Sequence, residues 1–264
     1  MRQYLQEIQK RKDLLVYLVQ SGLKAENRNS YLGYFWWLLD PLLNVLVYYF
    51  LVGVLLDRGG DNFAVFLVIG LVAWRWINTT VNSSAKAILK YSSIINQVYL
   101  PKAIFPMTIT STQLINFAFG LVIIASFLIA TGTVPGWQVV FLPVIILIQY
   151  LFLLAISLFL AYVSVFIRDV DNIMTHVTRV FFYASPIIWE GGRLGPAAED
   201  NLWIEILVTV NPIAHIVTGY RDILMEQSMP DWTGLLLIGF FSIMAIILLI
   251  YYYSRNEHKI IKAL

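Results

Sequence analysis

The residues best suited to chemistry lie inside a long apolar run. Arg75 stands there between Trp74 and Trp76. Polar side chains follow over the next two helical turns: Asn78, Thr79, Asn82 and Ser83. A lipid-facing arginine costs about 2.5–3.5 kcal/mol near the bilayer centre, so Arg75 should face a polar path or an acid. An anionic diphosphate or phosphodiester is a suitable ligand for its guanidinium. The alternative is that Arg75 reaches the outer headgroups or pairs with Asp57 or Asp61.

Aromatic rings near this stretch extend the candidate substrate path. Their faces suit the C–H surfaces of sugars, while the amides and hydroxyls suit a hydroxyl-rich chain. The candidates are Phe35, Trp36, Trp37, Trp74 and Trp76. Tryptophan and tyrosine also concentrate at membrane–water interfaces, which is the competing interpretation of the same residues.

Three basic residues form a candidate site for capturing an anionic head group. Arg28, Lys86 and Lys90 are predicted to lie near one membrane surface, where they could bind a diphosphate before transport. The alternative is that they set the topology and bind anionic lipid.

A short connector carries an apolar face outside the predicted spans. Ile94, Ile95, Val98 and Tyr99 recur at helical spacing, and Pro101 follows them. Such a face should be covered, either by this chain's own helices or by a partner. Because the sequence contains no Walker-type phosphate loop, energy for transport would come from a separate ATPase. The connector is the candidate contact with that ATPase.

The composition restricts the class of protein. Hydrophobic residues make up 59% of the 264 residues and charged residues 13%, whereas soluble domains average about 45–50% and about 25%. A net charge of +2 gives no support to a nucleic-acid partner. The chain has no cysteine, and its three histidines show no metal-ligand spacing, so no metal or other cofactor is expected.

The expected fold class is all-α and polytopic. A hydrocarbon core of about 30 Å takes about 20 apolar residues to cross as a helix, and in lipid the backbone must hydrogen-bond within its own segment. The long apolar runs therefore predict six transmembrane helices in a single domain over residues 1–264. The predicted spans are 34–57, 62–85, 103–131, 138–167, 172–189 and 232–253.

The basic residues predict the orientation. With six spans, most lysines and arginines fall on one side, in the segments 1–30, 86–102 and 255–262. The opposite side holds Arg58, Arg193 and Arg221 together with most of the acids. Because cytoplasmic loops carry an excess of lysine and arginine, both termini are predicted to be cytoplasmic.

Two segments are not expected to cross. Residues 4–22, within the cytoplasmic segment 1–30, place apolar side chains near a 3.6-residue period. This pattern predicts an amphipathic helix that lies in the membrane interface or packs on another protein. Residues 190–231 are predicted to form short helices that enter the outer leaflet, because Asn211 and Pro212 interrupt the apolar pattern.

Several segments, in order, resemble the ABC-2 type export permeases for polysaccharides and teichoic acids. They are DLLVYLVQSGLKAENRNSYLGYFWWLLDPLL at 13–43, INQVYLPKAIFP at 95–106, IRDVDNI at 167–173, ASPIIW at 184–189 and NPIAHIVTGYRDIL at 211–224. The resemblance covers nearly the whole chain. The sequence departs from the family pattern at Asn27, where a basic residue is common, and at Asp40, which is often an amide.

The resemblance implies a non-catalytic permease that forms a homodimer on two copies of a cytoplasmic ATPase subunit, which would hold ATP and magnesium. It also implies export of a polymer attached to a polyprenyl-diphosphate lipid across a bacterial plasma membrane. Among such relatives, the wall teichoic acid exporters of Gram-positive bacteria look most similar. Exporters of O-antigen or capsular polysaccharide are the alternative.

Two other classes of protein have different sequence requirements. A membrane transferase acting on a lipid-linked glycan would need convergent acids or a histidine-centred set at one membrane face. A channel or ion-coupled carrier should show more intramembrane acids or paired broken helices. The sequence gives less support to either of these classes than to an export permease.

Overall fold

The computed structural model describes residues 1–27, 31–55, 62–95, 100–189 and 209–263, and these ranges are folded almost entirely as helices. Five helices within them are long and apolar enough to cross a membrane. They are α3 (Trp36–Tyr48, continued by a π-helix over Tyr49–Leu55), α4 (Phe63–Ser84), α7 (Ile104–Thr131), α8 (Leu142–Phe166, preceded by a 3-10 helix over Trp137–Phe141) and α11 (Trp232–Ala263). The predicted all-α polytopic fold is confirmed.

The predicted boundaries of the second to fourth spans agree with these helices to within one residue, and the first helix begins two residues after the predicted start at 34. The predicted end of the first span, at 57, lies outside the described residues. The last helix differs, because it continues to Ala263 whereas the predicted span ended at 253. Its additional turns carry Arg255, Glu257 and Lys259, so they lie beyond the apolar run that the prediction followed.

The fifth predicted span, 172–189, contains a shorter helix. This helix, α9 (Val170–Ala184), has 15 residues and a length of about 22 Å, less than the thickness of a hydrocarbon core. The segment nevertheless follows α4 for most of its length. Asp171 pairs with Lys86 just beyond one end of α4, and the Ile187 carbonyl lies near Phe66 at the other end. A sixth crossing stays a prediction.

The shorter helices are α1 (Arg2–Lys10), α2 (Lys12–Asn27), α5 (Ala87–Lys90), α6 (Ser92–Ile95) and α10 (Pro212–Leu224). The single helix expected over 4–22 is therefore two helices, separated at Arg11, where φ is −101° and ψ is 18°. This break allows Tyr4 of α1 and Leu18 of α2 to bury in one apolar cluster. Membrane contact of this segment stays a prediction.

Helix α4 is the axis of the bundle. In its most apolar stretch 78% of the residues are buried, against 17–33% in the other four long helices. It packs on α3, α7, α8, α9 and α10. Because these five helices are placed against α4, the side chains of α4 define what lies between them.

Both termini lie at the same end of the bundle. Tyr4 of α1, Ile104 at the start of α7 and Ile260 of α11 belong to one buried apolar cluster there. We call this the termini end. The opposite end holds the start of α4 and the end of α7, where Gln227 donates to the Val134 carbonyl at 2.8 Å. The side of the membrane on which each end lies stays a prediction.

Arg221 of α10 joins three segments near the opposite end. Its Nη2 donates to the Phe66 carbonyl at 3.1 Å and to the Ile187 carbonyl at 2.8 Å, and its Nη1 donates to the Pro186 carbonyl. Its guanidinium also lies 3.4 Å from the centroid of the Phe66 ring. The segment after α9 and the start of α4 are thus fixed to α10. The sequence analysis treated Arg221 only as a basic residue of the outer side.

Gly70 provides the space for this contact. A Cβ at position 70 would lie 2.5 Å from Arg221 Nη2 and 2.7 Å from the Ile187 carbonyl oxygen.

We expect Gly70→Ala to lower the free energy of unfolding by roughly 1–3 kcal/mol, because the added methyl group would displace the Arg221 side chain and the backbone at Ile187. Thermal unfolding in detergent measures the change. Gly239→Ala in α11 is the matched control, since its Cβ would lie 3.6 Å from its nearest neighbour, Ile148. Equal melting temperatures for the two variants would contradict a stabilising role for the contact between Arg221 and Gly70.

Candidate substrate cleft

A cleft of about 480 Å³ lies between α3, α4 and α9. Its lining combines two guanidinium groups, several amides and hydroxyls, and aromatic rings. The lining residues are Asp40, Pro41, Asn44, Tyr48, Leu71, Trp74, Arg75, Asn78, Thr79, Asn82, Thr175, Thr178, Arg179, Phe182 and Tyr183. The cleft therefore brings together five of the predicted path residues: Trp74, Arg75, Asn78, Thr79 and Asn82.

Helical spacing explains why these side chains converge. On α4 the polar residues recur at i, i+3, i+4 and i+7, which is one face of a helix. They are Arg75, Asn78, Thr79 and Asn82. On α9 the same spacing gives Thr175, Thr178, Arg179 and Phe182. The polar face of α4 and that of α9 are opposed. Each provides the other with polar partners, which lipid cannot provide.

Arg75 forms an ion pair inside the cleft. Its Nη2 lies 3.0 Å from Oδ2 of Asp40 on α3. The two side chains are 32% and 51% exposed in the single chain, so the pair faces the cleft rather than the core. The partner is Asp40, whereas the sequence analysis considered Asp57 and Asp61, which lie outside the described residues.

A second cation lies one helix away from this pair. Arg179 of α9 lines the cleft and forms no ion pair with the described residues. The lining thus carries two arginines and one carboxylate, Asp40. This balance favours an anion as the bound group, because a guanidinium and an oxyanion form strong charge-assisted hydrogen bonds.

Polar contacts close the cleft toward the termini end. Asn82 lies 3.5 Å from the hydroxyls of both Thr175 and Thr178. One turn further, Lys86 Nζ lies 2.8 Å from Oδ2 of Asp171. The Lys86 side chain is 63% exposed, and an ion pair this exposed contributes at most about 1 kcal/mol. This ion pair therefore adds little to the stability of the contact between α4 and α9.

Aromatic rings form another wall of the cleft. The Phe182 ring on α9 lies 5.5 Å from the Tyr48 ring and 5.6 Å from the Trp74 ring, measured between centroids. Tyr183 extends the same wall. These rings can pack on the apolar faces of sugar units while the polar face of α4 receives hydroxyl groups.

Other predicted path residues lie outside this cleft. Trp76 is buried and stacks on Phe117 of α7 at 4.5 Å, and Trp37 packs on Phe119 at 4.8 Å. Both face α7 because they occupy the other side of their helices. Phe35, Trp36 and Ser83 do not line the cleft, and the first two are 52% and 40% exposed. Any role for these five in transport stays a prediction.

The structure describes two of the three predicted head-group residues. Lys86 pairs with Asp171 at the termini end of the cleft. Lys90 is exposed, with its Nζ 5.7 Å from the centroid of the Tyr91 ring. Arg28 lies outside the described residues.

The connector residues are only partly described. Ile95 is 5% exposed and belongs to the buried cluster at the termini end. This favours, for Ile95, the alternative in which the connector packs on its own chain. The side chain of Ile94 and all of Val98 and Tyr99 lie outside the described residues, so their contact with an ATPase stays a prediction.

Comparison with known proteins shows the family of the chain. A sequence model described as "ABC-2 type transporter" matches residues 13–225. The chain belongs to the ABC-2 type transporter family. It is 32% identical over 239 residues to the O-antigen export system permease protein RfbA of Myxococcus xanthus, covering 90% of each chain. Two proteins of the same name from Klebsiella pneumoniae are 27% and 26% identical, with 82% and 81% of each chain covered.

Family membership makes this chain a membrane transport subunit and not a catalytic one. The residues of α3 and α9 that complete the permease cleft were missed by the sequence analysis. A polar face on α9 could have been predicted from the sequence, because the spacing of Thr175, Thr178 and Arg179 repeats that of the polar residues on α4. Asp40 and Asn44 are likewise one turn apart on α3.

The absence of cysteine from the sequence allows a direct test of whether the cleft contains water. We expect Asn78→Cys and Thr175→Cys to react with a hydrophilic maleimide in membranes on the order of tenfold faster than Ile247→Cys, because only a hydrated thiol ionises readily. Ile247 is the control, since it lies midway along α11 and is 49% exposed on the bundle surface. Equally slow labelling at all three positions would contradict a hydrated cleft.

Proposed function

We propose that this chain is the permease subunit of an ATP-driven exporter that moves a lipid-linked polysaccharide of the O-antigen type out of the cytoplasm. The cleft between α3, α4 and α9 carries the proposal, since it combines Arg75 and Arg179 with amides, hydroxyls and aromatic rings. The names of the similar proteins support the same polymer class. They favour this alternative over wall teichoic acid, which was the first expectation from the sequence.

The parts of the substrate fit different parts of the cleft. A polyprenyl diphosphate carries the negative charge that Arg75 and Arg179 can bind. Sugar hydroxyls both donate and accept hydrogen bonds, as do the side-chain amides of Asn78 and Asn82. The aromatic wall at Phe182 offers apolar faces to successive sugar rings.

The open side of the cleft supports a homodimer. Helix α3 exposes Leu46, Val47 and Phe50, and α9 exposes Val180 and Phe181. A second copy of the chain facing these helices would enclose the cleft and join it to its own, giving a polymer a continuous path. The alternative to a second copy of the chain is that lipid acyl chains pack on these residues.

The energy source in this proposal is a cytoplasmic ATPase subunit in two copies, which binds ATP and magnesium. Family membership implies association with such a subunit. Ile95 and Leu100, which flank the connector, lie at the termini end, and Lys86, Lys90 and Lys102 lie near them in the sequence. The positive-inside rule therefore assigns the termini end, with both termini, to the cytoplasm.

Variants of Arg75 and Asp40 distinguish substrate binding by Arg75 from simple neutralisation of Asp40. We expect Arg75→Ala to raise the polymer concentration for half-maximal ATPase stimulation about tenfold or more, since a charge-assisted hydrogen bond contributes about 1.5–3 kcal/mol. We expect the double variant Arg75→Ala/Asp40→Asn to remain impaired. If Arg75 served only to neutralise Asp40, the double variant would recover. Arg255→Ala at the end of α11 is the control and should behave like the wild type.

The polymer class is tested by reconstituting the chain with its ATPase in liposomes. We expect a polyprenyl-diphosphate-linked polysaccharide to stimulate ATP hydrolysis and to appear on the far side of the membrane. A polyol-phosphate polymer on the same lipid is the matched comparison. Stronger stimulation by the polyol-phosphate polymer would return the assignment to teichoic acid.

A further inference from the structure

The chain is held tightly where it leaves the connector. Leu100, Lys102 and Ala103 are at most 3% exposed. Lys102 is the unusual member of this group, because its ammonium is buried just before α7 begins. Lysine is almost never fully buried unless it is paired.

Lys102 is paired with the last helix. Its Nζ lies 3.5 Å from Oε1 of Glu257, and its backbone N–H donates to the same oxygen at 3.0 Å. One carboxylate of α11 therefore holds both the side chain and the backbone at the exit of the connector. Glu257 lies one turn after Tyr253, whose hydroxyl donates to the Leu158 carbonyl of α8 at 2.9 Å.

The first helix contacts the same point. The backbone N–H of Ala103 donates to the hydroxyl of Tyr4 at 3.3 Å, and Tyr4 is 7% exposed. Two consecutive residues at the start of α7 are thus bonded to α1 and to α11. We call Tyr4, Lys102, Ala103 and Glu257 the terminal node.

A buried ion pair of this kind is a poor source of net stability, because the desolvation of both charges offsets most of their attraction. Its geometric effect is larger, since it fixes the position of one backbone segment relative to another. The node also borders a hollow of about 490 Å³ lined by Met1, Tyr4 and Glu257 among others, which leaves room for α1 and α11 to move relative to each other.

We infer that the terminal node passes movement of the connector to α11 and α1, so that Lys102 and Glu257 are positioning residues for coupling ATP binding to the bundle. The inference rests on the proposed ATPase partner. Movement at Leu100, where the chain leaves the connector, reaches α7 through Lys102, and Glu257 directs it into α11, which packs extensively on α8. Without the node, the start of α7 would lose these polar contacts to α1 and α11 and keep the apolar contacts of the termini end.

The test uses hydrogen–deuterium exchange on the complete complex of the chain with its ATPase, with and without Mg-ATP. In the wild type we expect nucleotide to change exchange at residues 253–263 about threefold or more. In Lys102→Met/Glu257→Ala, which removes both charges and leaves neither unpaired, this change should disappear while the change at residues 86–95 remains. Lys102→Met/Glu257→Gln keeps an acceptor for the backbone N–H of residue 102 and should recover part of it.

A purely structural ion pair predicts a different result. The nucleotide-dependent change at 253–263 would then persist in every variant that assembles, or be absent from the wild type, and either outcome overturns the inference. The wild type should also show a nucleotide-dependent change in exchange at α1. Tyr4→Phe, which removes the hydroxyl that accepts from Ala103, provides an independent variant that should lose this change. The exposed Lys10–Glu7 pair, with its atoms 3.0 Å apart on α1, is the matched control. We expect Lys10→Ala to leave both changes intact.

These measurements need no polymer. An incorrect polymer assignment would appear separately, as a wild-type complex that responds to nucleotide in exchange but shows no polymer-stimulated ATP hydrolysis. Failure of the node would appear as a normal response to polymer together with an unchanged exchange pattern in the double variant.

Discussion

The burial of α4 is the constraint on which the remaining structure depends. The first half of this helix is apolar on all sides, so it can be surrounded by α7, α8 and α10. Its second half carries Arg75, Asn78 and Asn82, which cannot face hydrocarbon at acceptable cost. Helices α3 and α9 meet this requirement with Asp40 and Thr175. The polar face of α4 must be shielded from lipid, and the helices that shield it form the cleft together with α4.

The two ends of α4 are held in different ways. Near the opposite end, Arg221 donates to three backbone carbonyls, and Gly70 allows the close approach that these contacts require, so α10, α4 and the segment after α9 are joined. At the termini end, α4 meets α9 through the exposed Lys86–Asp171 pair. The opposite end of α4 is thus held by several hydrogen bonds from one buried guanidinium, whereas the contact near the termini end includes a largely solvated ion pair.

The family and the polymer class depend on different residues. The five segments that resemble export permeases all lie within residues 13–225, the range that the family model matches. The cleft side chains instead come from three helices that are distant in the sequence, and Asp40 and Pro41 are the lining residues that also lie in one of these segments. The similar proteins favour O-antigen export over teichoic acid, the first expectation.

The sequence by itself determined the all-helical polytopic class and the extents of the helices at 63–84, 104–131 and 137–166, because the length of an apolar run is a local property of the sequence. It also identified Arg75 and the polar face of α4, since a charge within an apolar run is conspicuous without any knowledge of neighbours. The tertiary structure decided which partners those residues have. Asp40 rather than Asp57 or Asp61 pairs with Arg75, Trp76 turns to α7 rather than to the cleft, and Glu257 reaches Lys102 across 155 positions of sequence. These contacts depend on how each helix is rotated and on which helices become neighbours, and that choice is made by packing around the buried α4.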